Sequence, residues 1–258
     1  MWNLRSKNLN QQWWLVLGAS SSLGRALAEA VARRGGSIIL AGRKLEVLEE
    51  QAQYLRQKYP SVIVVVQIFD SSLALSRRSL VRFCQRQVPP GQLNIFLGFA
   101  HYAGQIAIEE SLELATAVLD TSLTQAALIM LEFIPLLTAK PGGRVIIVSS
   151  VSGERGRARN YIYGAAKAGL GVVASGLRAR LHPHGVSVLT VKSGLLSKSD
   201  QPIKGLRGLL AAAPKQAAEV WINASLSGRN SLYYPWFWRW ISMAIWLIPE
   251  GLFKRLRF

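Results

Sequence analysis

A tyrosine and a lysine four positions apart are the residues of this chain best placed for acid–base chemistry. Tyr163 and Lys167 fall within a stretch of helical periodicity, and their spacing puts both side chains on one face of a helix. An ammonium group beside a phenol stabilises the phenolate and lowers its pKa, so the pair can supply and recover a proton near neutral pH. Ser150 precedes the tyrosine by thirteen residues and offers a hydroxyl to the oxygen of a reacting carbonyl. A Tyr-x-x-x-Lys pair alone is usually ordinary helix surface, so the prediction of a catalytic site depends on the features that accompany it.

The second feature is a turn of small residues between an apolar run and a helical stretch. It reads Gly-Ala-Ser-Ser-Ser-Leu-Gly over residues 18–24. Small side chains allow backbone N–H groups to approach a pyrophosphate at the positive end of the helix dipole. Five residues separate the two glycines and Arg25 follows them, which excludes the phosphate loop of ATPases. The turn predicts dinucleotide binding, and the residues expected to take part are Gly18, Ser20, Ser22, Leu23 and Gly24.

The end of the second apolar run indicates which dinucleotide is bound. A site specific for NAD usually offers a carboxylate there to the ribose 2′-hydroxyl, whereas this chain has Ala41, Gly42 and Arg43. Arg43, together with Arg25, can instead bind a 2′-phosphate, because a guanidinium group makes two hydrogen bonds to phosphate oxygens. The sequence therefore predicts NADP(H) as the cofactor. The alternative is that Arg43 is a solvated charge at the start of the next helix.

Six short apolar runs alternate with longer stretches of helical periodicity, which is typical of a buried parallel sheet. The runs occupy residues 13–17, 37–40, 62–66, 93–99, 144–149 and 186–191. After the helix that follows the glycine-rich turn, helical stretches cover residues 44–58, 73–87, 112–138 and 160–181. This order predicts an α/β fold with one Rossmann-type, doubly wound parallel sheet and helices on both faces.

Composition limits the class of protein and its surroundings. A chain of 258 residues that is 50% hydrophobic can bury the core of one globular domain. The formal charge of +17 attracts phosphates, nucleic acid or anionic lipid without choosing among them. Cys84 is the only cysteine, so an internal disulfide is excluded, and no Cys/His cluster has the spacing of a zinc site. The first twelve residues lack the apolar region of a signal peptide, which predicts a cytoplasmic location.

Taken together, the turn, Ser150, Tyr163 and Lys167 resemble the short-chain dehydrogenase/reductase family from about Trp13 to Ser199. The resemblance implies that Ser150, Tyr163 and Lys167 are catalytic, and that Tyr163 and Lys167 also contact the cofactor. It assigns adenine binding to Asp70, although an acid at a strand end is also an ordinary cap. It further implies a carbonyl or alcohol substrate and assembly into a homo-oligomer.

The chain departs from the family pattern at several positions. Ser22 replaces the middle glycine of the turn. Where the family has Asn-Asn-Ala-Gly after the fourth strand, residues 101–104 read His-Tyr-Ala-Gly, and Ser193 replaces the proline of a later Pro-Gly turn. Ser122 stands where an asparagine often completes a proton relay. His101 is a second candidate for that relay, although a lone histidine near a strand end is more often structural.

Residues 153–170 and the last 26 residues resemble one branch of the family. That branch contains the bacterial reductases that act with a flavoenzyme to epimerise decaprenylphosphoryl ribose. The resemblance implies a lipid-linked keto sugar as substrate. Arg155 and Arg157 are candidates for binding its phosphate, with a solvated loop as the alternative.

The composition changes near the C-terminus, which predicts a boundary between a cofactor-binding domain (residues 1–232) and a C-terminal segment (residues 233–258). The segment is rich in aromatic residues, but Arg239 interrupts it and Pro249 ends it, so it is too short for a span of about 20 apolar residues. We expect it to lie on the inner membrane surface, with Lys254, Arg255 and Arg257 toward anionic lipid. A cover for the substrate pocket or an oligomer interface is the alternative.

Three classes of function compete for this sequence. A carbonyl reductase that uses NADPH is favoured because Ser150, Tyr163 and Lys167 are all present. A protein that keeps the fold but senses nucleotides or acts as a scaffold is the alternative, suggested by the changed residues 101–104 and 122. A nucleic-acid binder ranks last, because no nucleic-acid motif accompanies the charge.

Overall fold

A seven-stranded parallel sheet forms the centre of the protein in the computed structural model, which describes residues 8–139, 142–197 and 211–256. The strand order is β3-β2-β1-β4-β5-β6-β9. The strands are β1 (Trp13–Leu17), β2 (Ser37–Gly42), β3 (Val64–Ile68), β4 (Leu93–Leu97), β5 (Arg144–Ser150), β6 (Ser187–Ser193) and β9 (Ser231–Tyr234). Two short strands, β7 (Leu195–Leu196) and β8 (Ala211–Ala212), pair separately.

Helices connect the strands and cover both faces of the sheet. In chain order they are α1 (Ser22–Ala32), α2 (Leu45–Lys58), α3 (Ala74–Gln87), α4 (Gln105–Glu110), α5 (Leu112–Leu119), α6 (Gln125–Ala139), α7 (Tyr161–Leu181), α8 (Pro214–Leu226), α9 (Trp238–Leu247) and α10 (Glu250–Phe253). A π-helical turn, Asp120–Thr124, joins α5 to α6, and a 3-10 turn, Val151–Gly153, follows β5.

The two faces of the sheet bury separate clusters, which is why the strands read as unbroken apolar runs. All five residues of β1 are buried. Trp14 and Val16 pack with α1 and α8, whereas Leu15 and Leu17 pack with residues of α3, α6 and α7. Alternate side chains point to opposite faces of a strand, so each face of β1 needs its own helices. The predicted doubly wound fold with helices on both faces is confirmed.

One strand begins at a different residue than predicted, and one further strand was not predicted. Strand β3 begins two residues later than predicted, because Val62 is buried against the core before the chain pairs with β2. Strand β9 was not predicted, and it pairs with β6 from Ser231 to Tyr234. The sheet therefore continues two residues beyond the boundary placed at residue 232.

Residues 112–139 form one helical stretch that is long and apolar enough, by length and composition alone, to cross a membrane. Its side chains Ile129, Met130 and Phe133 are fully buried in the cluster beneath the sheet. Core helices of globular proteins have the same composition, so this stretch is explained by its packing.

Candidate active site

A cleft of about 700 Å³ opens at the carboxyl ends of β1 to β4. Four of the residues predicted to bind the cofactor line it: Gly18, Ser20, Arg43 and Asp70. The carboxyl edge of a parallel sheet, where the strand order reverses, is the usual place for a ligand in this architecture. The lining also contains Ser21, Phe99 and Tyr102, which sequence reasoning did not assign to the cofactor.

The glycine-rich turn has a geometry that depends on its glycines. Gly18 has φ +85°, in the left-handed region that favours glycine. A Cβ on Gly24 would lie 2.3 Å from the carbonyl oxygen of Gly18. Ser21 caps α1: its hydroxyl accepts a hydrogen bond from Gly24 N at 3.0 Å and donates one to Gly18 O at 2.8 Å. Because Ser20 and Ser21 line the cleft, the N-terminus of α1 lies at its wall, where the helix dipole favours a pyrophosphate.

The remaining turn residues differ in their surroundings. Ser22 is the first residue of α1 and is exposed, whereas the side chain of Leu23 is buried in the core. Neither side chain lines the cleft as described. Any contact of Ser22 and Leu23 with a bound cofactor must therefore come from their backbone at the start of α1.

Asp70 and Arg43 lie close enough to interact at the far side of the cleft. The Asp70 carboxylate accepts hydrogen bonds from Ser72 Oγ at 2.7 Å and Ser72 N at 2.9 Å. These bonds lower the pKa of Asp70, and the positive charge of Arg43 contributes to the same shift. Arg43 is exposed at the end of β2. An anionic and a cationic group are thus both present at this end of the cleft.

Ser150, Tyr163 and Lys167 lie on β5 and α7, beside the cleft. Ser150 ends β5, and its Oγ donates to Ser193 O at 3.3 Å and accepts from Ser152 N at 3.1 Å. Tyr163 packs edge-on against Tyr102, with ring centroids 5.1 Å apart. Since Tyr102 lines the cleft, this contact joins the predicted catalytic residues to the predicted cofactor site.

Lys167 is almost fully enclosed, with 2% of its surface exposed. Its Nζ donates to Val148 O at 2.9 Å and lies 5.8 Å from the centre of the Tyr163 ring. Burial lowers the pKa of Lys167 to about 8, because a low-dielectric surrounding disfavours the charged amine. Burial also raises the pKa of Tyr163 to about 12, with a smaller contribution from Tyr102. The expected lowering of this pKa by Lys167 does not occur here, because burial and Tyr102 both raise it and Lys167 is not among the groups that shift it.

Two glycines allow α7 to approach the turn after β5. A Cβ on Gly164 would lie 2.6 Å from Ser152 O, and one on Gly153 would lie 2.7 Å from Ala168 N. The close approach brings Tyr163 and Lys167 up to the strand that carries Ser150. Gly164 was not singled out from the sequence, although a small residue beside the Tyr163–Lys167 pair was the available signal.

The segment after β4 packs against the glycine-rich turn and is held by Ser122. Strand β4 ends at Leu97, and the backbone of Phe99 lies 3.1 Å from where a Gly18 Cβ would be. Phe99 therefore lies against the glycine-rich turn. The Ser122 hydroxyl donates to His101 O and accepts from His101 N, each at 3.0 Å. Ser122 thus supports the backbone of this segment.

Arg155 and Arg157, the two arginines considered for phosphate binding, have different environments. Nη1 of Arg155 donates to Ile245 O at 2.6 Å and Ile248 O at 2.7 Å, and Nη2 pairs with Glu250 at 2.7 Å. These contacts direct the guanidinium toward the C-terminal segment, so in this structure it is occupied there and not available to a phosphate. Arg157 donates to Ser152 Oγ at 3.0 Å, and burial lowers its pKa.

The C-terminal segment packs beside Ser150 and exposes apolar side chains. Trp238 is buried against Gly194, where a Cβ would lie 2.1 Å from the indole nitrogen. Trp240 and Trp246 are 55% and 69% exposed. Lys254 and Arg255 are also exposed, whereas Arg257 lies outside the described residues.

Comparisons with known proteins agree with this arrangement. The family model described as short chain dehydrogenase matches residues 12–201. An uncharacterized oxidoreductase of Mycobacterium tuberculosis is 28% identical over 243 residues, covering 94% of this chain and 96% of the relative. An uncharacterized oxidoreductase of Streptomyces coelicolor is 31% identical over 244 residues, covering 94% of each chain.

Solved structures share the fold at low identity. L-sorbose reductase from Gluconobacter frateurii, complexed with NADPH and L-sorbose, gives a TM-score of 0.76 at 18% identity, covering 88% of this chain and 96% of that one. An NADPH dependent reductase involved in bacilysin biosynthesis gives 0.74 at 17% identity, covering 86% and 96%. At these identities the likeness concerns the fold alone.

Proposed function

Because the chain belongs to the short-chain dehydrogenase family, we propose that it is an NADPH-dependent oxidoreductase that reduces a ketone to an alcohol. Membership in this family makes it an NAD(P)-dependent enzyme. The observation that carries the finer proposal is the position of Tyr163 and Lys167 beside a cleft that ends in Arg43. The L-sorbose reductase is complexed with NADPH and the reductase of bacilysin biosynthesis is NADPH dependent, which supports the same cofactor here.

The residues of the cleft fit a dinucleotide phosphate. Gly18, Ser20 and Ser21 line the cleft at the N-terminus of α1, where the positive end of the helix dipole suits a pyrophosphate. Arg43 is exposed at the end of β2, where a ribose 2′-phosphate would lie. NADPH, when bound, supplies the hydride that adds to the carbonyl carbon and is thereby oxidised to NADP⁺.

The chain's own residues supply the proton and the orientation. Tyr163 is protonated at neutral pH because burial raises its pKa to about 12, so it can donate its phenolic proton to the carbonyl oxygen as the carbon–hydrogen bond forms. Ser150, whose hydroxyl lies at the end of β5, orients that oxygen by a hydrogen bond. Lys167 supports the reprotonation of Tyr163 from solvent after the alcohol leaves.

The substrate class that we propose is a keto sugar linked to a lipid, with the protein at the inner membrane surface and otherwise in the cytoplasm. Support comes from the exposed tryptophans of the C-terminal segment and from the positive charge beside them. Arg157 remains the candidate for the phosphate of such a substrate. Assembly into a homo-oligomer is part of the same proposal, supported by Leu131 and Val172, which are 52% and 73% exposed on α6 and α7.

Tyr163→Phe tests the proposed chemistry. We expect it to abolish single-turnover hydride transfer to a ketone while NADPH affinity stays within about twofold, because the cleft is unaltered and the proton donor is lost. Absorbance at the nicotinamide band measures hydride transfer, and a fluorescence titration measures NADPH affinity. Turnover that survives in this variant would assign the proton to another group, with the exposed Tyr161 to be substituted next.

A further inference from the structure

The arginine that precedes the catalytic helix has no role in the chemistry proposed above, yet it is one of the most heavily bonded side chains of the site. Arg155 lies in the loop between Ser150 and Tyr163. Besides its bonds to the backbone of Ile245 and Ile248 and its ion pair with Glu250, its guanidinium stacks on the Phe253 ring at 3.7 Å. Only 16% of its side chain is exposed.

These bonds satisfy the C-terminal end of α9. The last carbonyl groups of a helix have no partner within the helix and carry the negative end of its dipole. A guanidinium group suits this position because it is always charged and offers several donors in one plane. Arg155 therefore caps α9 from another part of the chain and holds α10 against the cap through Glu250 and Phe253.

The same loop is joined to the C-terminal segment at a second place. Glu154 accepts a hydrogen bond from Tyr233 Oη at 2.7 Å and pairs with Lys192 at 2.8 Å. Lys192 belongs to β6, which also supplies the Ser193 carbonyl that accepts the bond from Ser150. Two consecutive residues of the loop, Glu154 and Arg155, thus bind the beginning and the end of the segment.

The segment in turn lies beside the reacting groups. Trp238 packs on Gly194, the residue that follows Ser193, and Gly194 N donates to Tyr234 O at 2.8 Å. A displacement of α9 would therefore uncover the region next to Ser150 and release the loop that leads to Tyr163. The position of the segment and the geometry of the loop are set by the same contacts.

We propose that Arg155 is a positioning residue, which fixes the C-terminal segment as a wall of the substrate site and fixes residues 151–160 between Ser150 and Tyr163. This inference rests on the proposed function for its effect on turnover. Its structural part, the coupling between segment and loop, does not depend on that function.

The test compares Arg155→Gln with Arg159→Gln, which removes the same charge from an exposed position four residues further along the loop. Hydrogen exchange followed by mass spectrometry reports on residues 151–160 and 238–253 in the full chain. We expect Arg155→Gln to raise exchange in both regions together and Arg159→Gln to leave both unchanged. Faster exchange in the C-terminal region alone, or equal effects of the two variants, would overturn the coupling.

Steady-state kinetics with NADPH and a reducible ketone give the second readout. For Arg155→Gln we expect KM for the ketone to rise about tenfold or more, with kcat reduced less and the Kd for NADPH within about twofold. Arg155→Lys keeps the charge and part of the cap, so it should recover part of the lost affinity. A loss of kcat with KM unchanged, or no difference between Arg155→Lys and Arg155→Gln, would contradict a positioning role. If the wild type shows no turnover, the proposed function fails while the exchange experiment still decides the coupling.

Discussion

Burial shifts the pKa values of Lys167 and Tyr163 in opposite directions, and both shifts favour the neutral side chain. The tyrosine is thereby kept as an acid at neutral pH, which suits reduction of a carbonyl. Oxidation of an alcohol needs the phenolate and should gain from higher pH. The cost of this arrangement is a lysine that is charged at neutral pH in an enclosed position.

Lys167→Met should stabilise the protein at pH 7 while it removes activity. The pKa of the lysine is about 8 in the folded chain, against 10.5 for a lysine exposed to water. Below pH 8 the amine is charged in both states and folding carries the full burial cost, so the variant should gain up to about 3 kcal/mol. Above pH 8 the folded wild type loses the proton first and its stability rises, so the gain should shrink. Urea unfolding at pH 7 and at about pH 9.5 measures the difference.

A control is offered by Lys192, a half-buried amine on β6. Lys192 pairs with Glu154, and its hydrogen bonds to Glu154 and Tyr233 raise its pKa despite burial. Lys192→Met should therefore destabilise the protein at pH 7. A loss of stability of the same sign in Lys167→Met would show that its bond to Val148 O outweighs the cost of burying its charge.

Arg43→Ala should weaken NADPH binding by about tenfold and leave NADH binding nearly unchanged, because a charge-assisted bond to the 2′-phosphate is lost at an exposed position. Lys44→Ala, at the exposed neighbouring position, serves as the control. Fluorescence titrations of both cofactors against each variant give the two Kd values, and hence the ratio of Kd for NADH to Kd for NADPH. If Arg43→Ala weakened the binding of both cofactors equally, other residues would bind the 2′-phosphate. Tighter binding of NADH than of NADPH by the wild type would reject the NADP preference.

At the residue scale, the sequence predicted that Tyr163 and Lys167 share a helix but not how burial changes their pKa values. The spacing of four residues correctly placed Tyr163 and Lys167 on α7, because helical periodicity is a local property. The depth of their burial depends on β5 and on Tyr102, which are distant in the chain. For the same reason the bonds of Arg155 to α9, ninety residues further on, were not predictable from its neighbours.

At the scale of elements, the contact between α7 and the turn after β5 controls the distance between Tyr163 and Ser150. Gly164→Ala would place a methyl carbon 2.6 Å from Ser152 O, so α7 must move away from β5. We expect kcat to fall about tenfold or more and the free energy of unfolding to fall by about 1–3 kcal/mol. Gly171→Ala, on the same helix with nothing within 4 Å, should keep activity and stabilise the helix by about 0.5–1 kcal/mol. Similar activities of the two variants would show that the contact does not set the geometry.

Elements with strong periodicity were predicted closely, and short ones were missed. Strand β1 has the predicted bounds, and α7 begins one residue later than predicted. Strand β9 has four residues and follows Gly228 and Asn230, so no long apolar run in the sequence indicates it. Its place beside β6 results from pairing with a strand forty residues earlier, which local patterns do not report.

At the scale of the whole molecule, the C-terminal segment combines a buried face with an exposed apolar one. In α9, Trp238 and Ser242 are buried, whereas Trp240, Met243 and Leu247 follow one another at helical spacing and are 47–66% exposed. Exposed aromatic and aliphatic side chains on one helix face normally mark a contact with lipid or protein. Arg239, Lys254 and Arg255 are exposed near this face, in a chain with a formal charge of +17. A surface of anionic lipid would match both the exposed apolar face and the positive charge near it.

We therefore expect the full-length protein to float with anionic liposomes at low salt, and to be released at about 1 M salt, where the Debye length falls to about 3 Å. Trp240→Ser combined with Trp246→Ser should abolish flotation and keep the fold, because both side chains are exposed. Truncation after residue 232 is a poor test, since it cuts β9 and removes Trp238 from Gly194. Ile63→Ser combined with Leu75→Ser removes apolar groups of similar exposure elsewhere and should float like the wild type. Wild-type protein that stays out of the lipid fraction at low salt would reject the membrane contact, and the exposed face of α9 would then belong to a subunit interface or to a bound substrate.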